Sequence, residues 1–85
     1  MKIVIPRHYT QMVLHKLQFV PIPTKRNEFA KSVQDGHYPR LHVITKKDGK
    51  HTLLDIHLDL EKHKNSIQDS HLIRQTINKI KEVII

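Results

Sequence analysis

The fold is decided by residues 40–60, RLHVITKKDGKHTLLDIHLDL, in which two runs of alternating side chains flank Asp48-Gly49. Asp-Gly is a preferred sequence for the two-residue turn of a β-hairpin. The expected strands are residues 40–47 and 50–60. With Lys47 opposite Lys50, this hairpin places His42 opposite Asp55 and Arg40 opposite His57. An antiparallel hairpin is therefore the first element that the sequence predicts.

The two faces of this hairpin differ in polarity, because successive side chains of a strand point to opposite sides. One face carries Leu41, Val43, Thr45, Thr52, Leu54, Ile56, Leu58 and Leu60. The other carries Arg40, His42, Ile44, Lys46, His51, Leu53, Asp55, His57 and Asp59. An antiparallel sheet often packs one face on the core and leaves the other to solvent. We expect the polar face to be available to a partner.

Segments with other patterns bracket the hairpin. The predicted helices are residues 7–18 and 70–84, the first strand is 19–22, and a polar insertion covers about 24–37. Apolar side chains recur at spacings of three and four in both helices, and Asn27 is expected to cap a short helix within the insertion. The sequence predicts an α+β fold in a single domain over residues 1–85. Its order is helix, strand, strand, strand, helix, with both helices on one face of an antiparallel sheet.

Composition restricts the classes of function. The chain has 15 Lys and Arg against 8 Asp and Glu, and its formal net charge is +7. RNA is an abundant polyanion, and a chain with this positive charge would attract it. The chain has no cysteine and no apolar run near the roughly 20 residues of a membrane span. We therefore expect a cytoplasmic protein without membrane association. Two glycines provide no phosphate-binding loop, which disfavours nucleotide-dependent chemistry.

The polar face brings together side chains that carry acid-base chemistry. Its candidate catalytic residues are His42, His57 and Asp55. In one reading an imidazole accepts the 2′-hydroxyl proton of RNA, Asp55 orients that imidazole, and Arg40 or Lys46 stabilises the phosphate, without a metal or other cofactor. A second reading is a divalent metal site, since imidazole and carboxylate suit zinc or manganese. In a third, these residues are ordinary cross-strand pairs that stabilise the sheet.

Basic side chains surround the predicted hairpin. The candidate nucleic-acid-binding residues are Arg40, Lys46, Lys47, Lys50, Lys62, Lys64 and Arg74. Two Phe and two Tyr are too few for a platform that stacks single-stranded bases, so structured or double-stranded RNA is the predicted partner. The alternatives are a solvated charged rim and a non-catalytic module that binds an acidic protein. Either a monomer or a homodimer formed by edge-strand pairing is compatible with the sequence.

Two short stretches resemble the HicA-type mRNA interferase toxins, which have a fold like that of the double-stranded RNA-binding domain. Residues 14–19, LHKLQF, resemble the end of the first helix in that family, where a Leu-x-x-Gly-Phe pattern is usual. Residues 48–57, DGKHTLLDIH, resemble its hairpin turn and third strand. The resemblance implies a ribonuclease of a toxin–antitoxin system. His42 is the nearest counterpart of the family's catalytic histidine, but residues 38–42 read YPRLH where the family has Gly-Ser-His.

Overall fold

The computed structural model describes residues 1–33, 39–59, 66–67 and 70–84. The elements are β1 (Lys2–Pro6), a 3₁₀ turn (Arg7–Tyr9), α1 (Thr10–Lys16), β2 (Val20–Pro21), β3 (Glu28–Ser32), β4 (Arg40–Asp48), β5 (His51–Asp59), β6 (Ser66–Ile67) and α2 (His71–Ile84). Within the described residues all strands form one antiparallel sheet in the order β1-β5-β4-β3-β2, with β6 also paired to β5. The predicted α+β class is confirmed.

The first strand, β1, was not predicted. It pairs with β5, whose paired residues are at least 45 positions away along the chain, and Ile3 lies opposite Leu54. Ile5 is completely buried, whereas Val4 is largely exposed. The alternation is typical of a strand, but a five-residue segment pairs in this way only because a distant strand offers its edge.

The segment predicted as a polar insertion contains β3. This strand pairs with β4, and Phe29 lies opposite Val43 on the core side. Asn27, the expected helix cap, instead has a φ of 61°, a left-handed conformation that Asn tolerates. Its carbonyl accepts the N–H of Thr45 at 2.8 Å. The helix prediction is wrong because pairing with β4 outweighs local propensity. Residues 34–38 of the predicted insertion lie outside the described residues.

The hairpin between β4 and β5 turns one residue later than predicted. Asp48 lies opposite His51, so the two turn residues are Gly49 and Lys50. Gly49 has a φ of 59°, and Lys50 has no positive φ. This combination is that of a type II′ turn, in which glycine takes the first central position.

The later turn changes the partner of every residue on β4. His42 lies opposite His57, and Arg40 lies opposite Asp59. The predicted pairs of His42 with Asp55 and of Arg40 with His57 are therefore wrong by two residues. A change of two residues leaves each side chain on its original face. The predicted division into a core face and a polar face is accordingly correct.

The end of α1 directs the chain into the core. Gln18 has a φ of 64°, in the position after a helix where glycine is usual. Its N–H donates to the carbonyl of His15 at 3.0 Å, and the N–H of Phe19 donates to the carbonyl of Leu14 at 2.9 Å. These two bonds close the helix with a Schellman motif. Phe19 consequently enters the core at 6% exposure.

The core lies between one face of the sheet and the two helices. Its buried apolar residues are Ile5, Val13, Leu14, Phe19, Leu41, Val43, Leu54, Ile56, Leu58, Ile73, Ile77 and Ile80. Both α1 and α2 contribute to this single cluster, which confirms the prediction that both helices lie on one sheet face. No helix in the described ranges is long and apolar enough to cross a membrane.

Candidate functional site

The sheet face opposite the helices, here called the open face, carries two histidines at its centre. His42 on β4 and His57 on β5 are directly opposed. Nδ1 of His42 is 2.8 Å from Nε2 of His57, and the rings meet edge to face at 71° with centroids 4.6 Å apart. The observed register therefore brings the two imidazoles into direct contact, whereas the predicted register placed Asp55 opposite His42.

A carboxylate from β3 completes this group. Oε1 of Glu28 is 2.8 Å from Nε2 of His42, and both side chains are mostly buried. The oxygen lies off the direction of a ring N–H, since Nε2 of His42 has no well-aligned hydrogen bond among the described residues. The contact is best described as electrostatic, and partial burial strengthens it. Glu28, His42 and His57 are called the relay below.

The relay contacts determine where protons lie when both imidazoles are neutral. A proton on Nε2 of His42 is favoured electrostatically, because the Glu28 carboxylate lies 2.8 Å from this nitrogen. Nδ1 of His42 is then an acceptor, so Nε2 of His57 must donate to it. The remaining nitrogen, Nδ1 of His57, is unprotonated and makes no hydrogen bond with any described residue. It is the position in the relay that is able to accept a proton from a substrate.

The surroundings of His57 keep its ring neutral near pH 7. Burial lowers the pKa of His57 below its ordinary value, because it disfavours the charged ring, and His42 lowers this pKa further. Asp55 and Asp59 act in the opposite direction, and the amino terminus adds a small decrease. The net lowering of the pKa favours the form of His57 that accepts protons.

Two other predicted residues occupy different places from those expected. Asp55 lies opposite Ile44, and its Oδ1 is 3.9 Å from the amino terminus. It does not hydrogen-bond to either imidazole. The carboxylate that contacts an imidazole is that of Glu28, not that of Asp55 as expected. The Nε of Arg40 is 3.5 Å from Oδ2 of Asp59. The Arg40–Asp59 pair is therefore the neighbour of the His42–His57 pair on the open face.

The open face has no excess of positive charge in the described residues. By the strand register its cations are Lys2, Arg40 and Lys46, and its carboxylates are Glu28, Asp48, Asp55 and Asp59. Among the described residues, the sheet face that carries the histidines is therefore not basic. The strands that carry the histidines also carry most of these acids, so phosphate contacts are favoured elsewhere.

The positive charge gathers at the turn of the hairpin. Lys46, Lys47 and Lys50 are exposed there, and Arg7 joins them from a position 42 residues earlier in the chain. The N–H of Arg7 donates to the carbonyl of Lys50 at 2.8 Å, and its guanidinium donates to the carbonyl of Gly49 at 3.3 Å. Arg7, Lys46, Lys47 and Lys50 are called the hairpin end below.

The remaining predicted cations do not join this group in the described structure. Arg74 is exposed on α2, which packs on the core side of the sheet and is therefore separated from the open face. Lys62 and Lys64 lie outside the described residues. Of the seven predicted phosphate-binding residues, the structure thus brings three together at the hairpin end and adds Arg7, which the sequence did not reveal.

The described part of the chain contains no group of three or more His, Asp or Glu side chains arranged to hold a metal ion. The alternative of a metal site therefore has no ligand set in these residues.

No protein-family model, curated protein or solved structure matches this chain. The likeness to HicA-type toxins rests on residues 14–19 and 48–57 alone and stays a prediction. The relay and the hairpin end are therefore interpreted from their own chemistry.

The lowered pKa of His57 predicts how stability changes with pH. Its pKa is lower in the folded than in the unfolded chain, so the unfolded chain binds more protons as the pH falls through about 6.5. The free energy of unfolding should decrease from pH 7.5 to pH 5.5, and His57→Gln should reduce this decrease. Urea unfolding at the two pH values measures both, and equal decreases in the wild type and the variant would contradict the prediction.

Proposed function

We propose that this chain binds RNA by contacting phosphate groups through the hairpin end. The observation that carries the proposal is that Arg7 bonds to the hairpin turn and so lies with three exposed lysines at one end of the sheet. Four cations there accompany one carboxylate, Asp48. Exposed cations of this kind contact phosphates at little desolvation cost and release counterions on binding. A cytoplasmic location, where RNA is abundant, is part of the same proposal.

The shape of this surface favours structured RNA. A projecting two-residue turn is narrow enough to approach the grooves and phosphates of a duplex, whose recognition depends on backbone shape. None of the four side chains that define the hairpin end carries an aromatic ring, so their contribution to binding is charge rather than base stacking. The proposed ligand is thus a double-stranded or stem-loop RNA, bound with little sequence preference.

The test compares Lys47→Gln/Lys50→Gln with Lys79→Gln/Lys81→Gln, which removes the same charge from the exposed side of α2. Fluorescence anisotropy with a labelled RNA stem-loop at several salt concentrations measures affinity. If each hairpin lysine contacts one phosphate, the first variant should lower the slope of log affinity against log salt by about 2, and the second should leave it unchanged. Equal losses in both variants would indicate only nonspecific attraction by net charge.

A wild-type protein without salt-dependent affinity for RNA would overturn the proposal. It would favour the alternative of a non-catalytic module with an acidic protein partner, for which the same cations supply charge complementarity.

The relay favours a second function, metal-independent cleavage of RNA. Nδ1 of His57 would accept the 2′-hydroxyl proton while the 2′ oxygen attacks phosphorus and the 5′ oxygen leaves. Transfer of the proton from Nε2 of His57 to His42 would place the positive charge beside Glu28, which stabilises it. Arg40 is the nearest cation on β4 for the phosphate. The leaving oxygen takes its proton from water or from the protonated relay.

The hairpin end and the relay are close enough to share one RNA. Lys46 and His42 lie on the same face of β4, four residues apart, or about 13 Å along the strand. An RNA backbone covers this distance within a few nucleotides. An RNA backbone held by Lys46 therefore reaches the histidine pair without crossing to the helix side of the sheet.

A further inference from the structure

A polar cavity opens on the helix side of the sheet, next to the hairpin end. Its volume is about 300 Å³, which is at the lower limit for small-molecule sites. The start of α1 lines it with Thr10, β4 with Thr45 and β5 with Thr52. It lies on the opposite side of the sheet from the relay, so it is a separate site.

The charges around this cavity select an anion. Arg7 and Lys47 both line it, and none of the described residues that line it is a carboxylate. The backbone N–H of Arg7 donates to Lys50 and its guanidinium donates to Gly49, and these two contacts hold Arg7 between the hairpin turn and the cavity. Two cations without a competing acid suit the double negative charge of a phosphate monoester.

The hydroxyl groups of the cavity suit the sugar of the same ligand. The Thr10 hydroxyl donates to the carbonyl of Arg7 at 2.8 Å, and the Thr45 hydroxyl donates to the carbonyl of Asn27 at 3.2 Å. Thr52 Oγ1 lies 2.8 Å from Thr10 Oγ1. The Thr45 proton is committed to Asn27, so the Thr45 oxygen is able to accept a hydrogen bond from a ligand hydroxyl. Thr10 has a single proton, so when it donates to Arg7 its oxygen accepts from Thr52 and keeps one lone pair for a ligand.

An aromatic ring is the third chemical feature of the cavity, after its cations and its hydroxyl groups. Phe29 lines the cavity and is only partly buried by the core. A ring face of this kind stacks on a planar base. Cations, acceptor hydroxyls and an aromatic ring together match phosphate, ribose and base.

We propose that this cavity binds a nucleoside monophosphate, either as the free nucleotide or as the 5′-phosphorylated end of an RNA. The RNA-end source rests on the RNA binding proposed above, whereas the free-nucleotide source does not. In both cases Arg7 and Lys47 hold the phosphate and Phe29 contacts the base.

The first arm of the test uses free nucleotides. Amide spectra of the ¹⁵N-labelled full chain are recorded during titration with UMP and AMP, with uridine and adenosine as controls. UMP or AMP should shift the amides of Thr45 and Thr52, and the nucleosides should shift them much less. Phe29→Leu and Thr45→Val should weaken nucleotide binding, and their unchanged spectra elsewhere would show that they fold.

The second arm uses RNA ends. A 5′-phosphorylated stem-loop should bind about tenfold or more tightly than the same RNA with a 5′-hydroxyl, as expected for charge-assisted contacts. Thr45→Val should reduce this ratio while leaving the salt dependence of RNA binding unchanged. Lys50→Gln, which lies outside the cavity, should weaken both RNAs equally.

The two arms separate the outcomes. Nucleotide binding without discrimination between RNA ends identifies the free nucleotide as the ligand, and discrimination between ends identifies the RNA terminus. If neither nucleotide shifts the cavity amides and both RNAs bind equally, the cavity proposal is overturned. Salt-dependent RNA binding in that last case would leave the function of the hairpin end intact.

Discussion

Replacing His57 with asparagine is expected to lower the rate of RNA cleavage by about 10²- to 10⁴-fold, the range for loss of a general base. The change removes the ring nitrogen that accepts the substrate proton and keeps a polar side chain on β5. RNA affinity should be unchanged, because the four cations of the hairpin end are untouched. Cleavage of a labelled stem-loop in EDTA measures the rate, and anisotropy measures the affinity.

The matched control is His51→Asn, on the same strand and the same face but exposed near the turn. It should cleave at the wild-type rate. Equal rates for the wild type and His57→Asn would exclude the relay as the source of cleavage. Loss of cleavage in both variants would indicate that His51 and His57 contribute to RNA binding rather than to proton transfer.

Glu28→Gln distinguishes positioning from general structural support. Glutamine keeps the size and polarity of the side chain, but the negative charge 2.8 Å from Nε2 of His42 is lost. We expect a smaller decrease in cleavage rate than for His57→Asn, because the accepting nitrogen of His57 is retained and only the charge beside His42 is lost. A purely structural role would lower the amount of folded protein and leave the cleavage rate per folded molecule unchanged.

The fold was largely predictable because its main signal is local. Alternation along β4 and β5 separates a core face from a polar face, and this separation survives the difference between the predicted and observed turns. The exact cross-strand partners were harder to predict, since Asp48-Gly49 and Gly49-Lys50 are both acceptable turn pairs. The two choices keep the same faces, so the hydrophobic pattern does not distinguish between them.

The relay was only half predictable for the same reason. His42 and His57 were placed on one face, but their direct contact depends on the register. Glu28 was missed because β3 is polar at its ends and has Ala30 and Lys31 in its middle, a weak strand pattern. Arg7 was missed because only the pairing of β1 with β5 brings it to the hairpin turn. Each missed residue thus depends on a contact between segments far apart in sequence.

Replacing Ile56 with alanine is expected to lower the free energy of unfolding by about 2 to 5 kcal/mol, through lost apolar burial and the cavity left behind. Ile56 is completely buried at the centre of β5, opposite Val43. A chain of 85 residues has a total stability of roughly 4 to 13 kcal/mol. The substitution is therefore expected to remove a large part of the stability of the domain, which urea unfolding followed by circular dichroism measures.

Ile44→Ala is the matched control, because it removes the same atoms from the opposite face of the neighbouring strand. Ile44 is 38% exposed, so its truncation leaves a surface depression that water fills, and we expect a loss of about 1 kcal/mol or less. The ratio of the two losses tests which sheet face the helices cover. Similar losses of unfolding free energy in the two variants would mean that the open face is covered in solution. RNA could then not reach His57, and the proposed cleavage would be refuted.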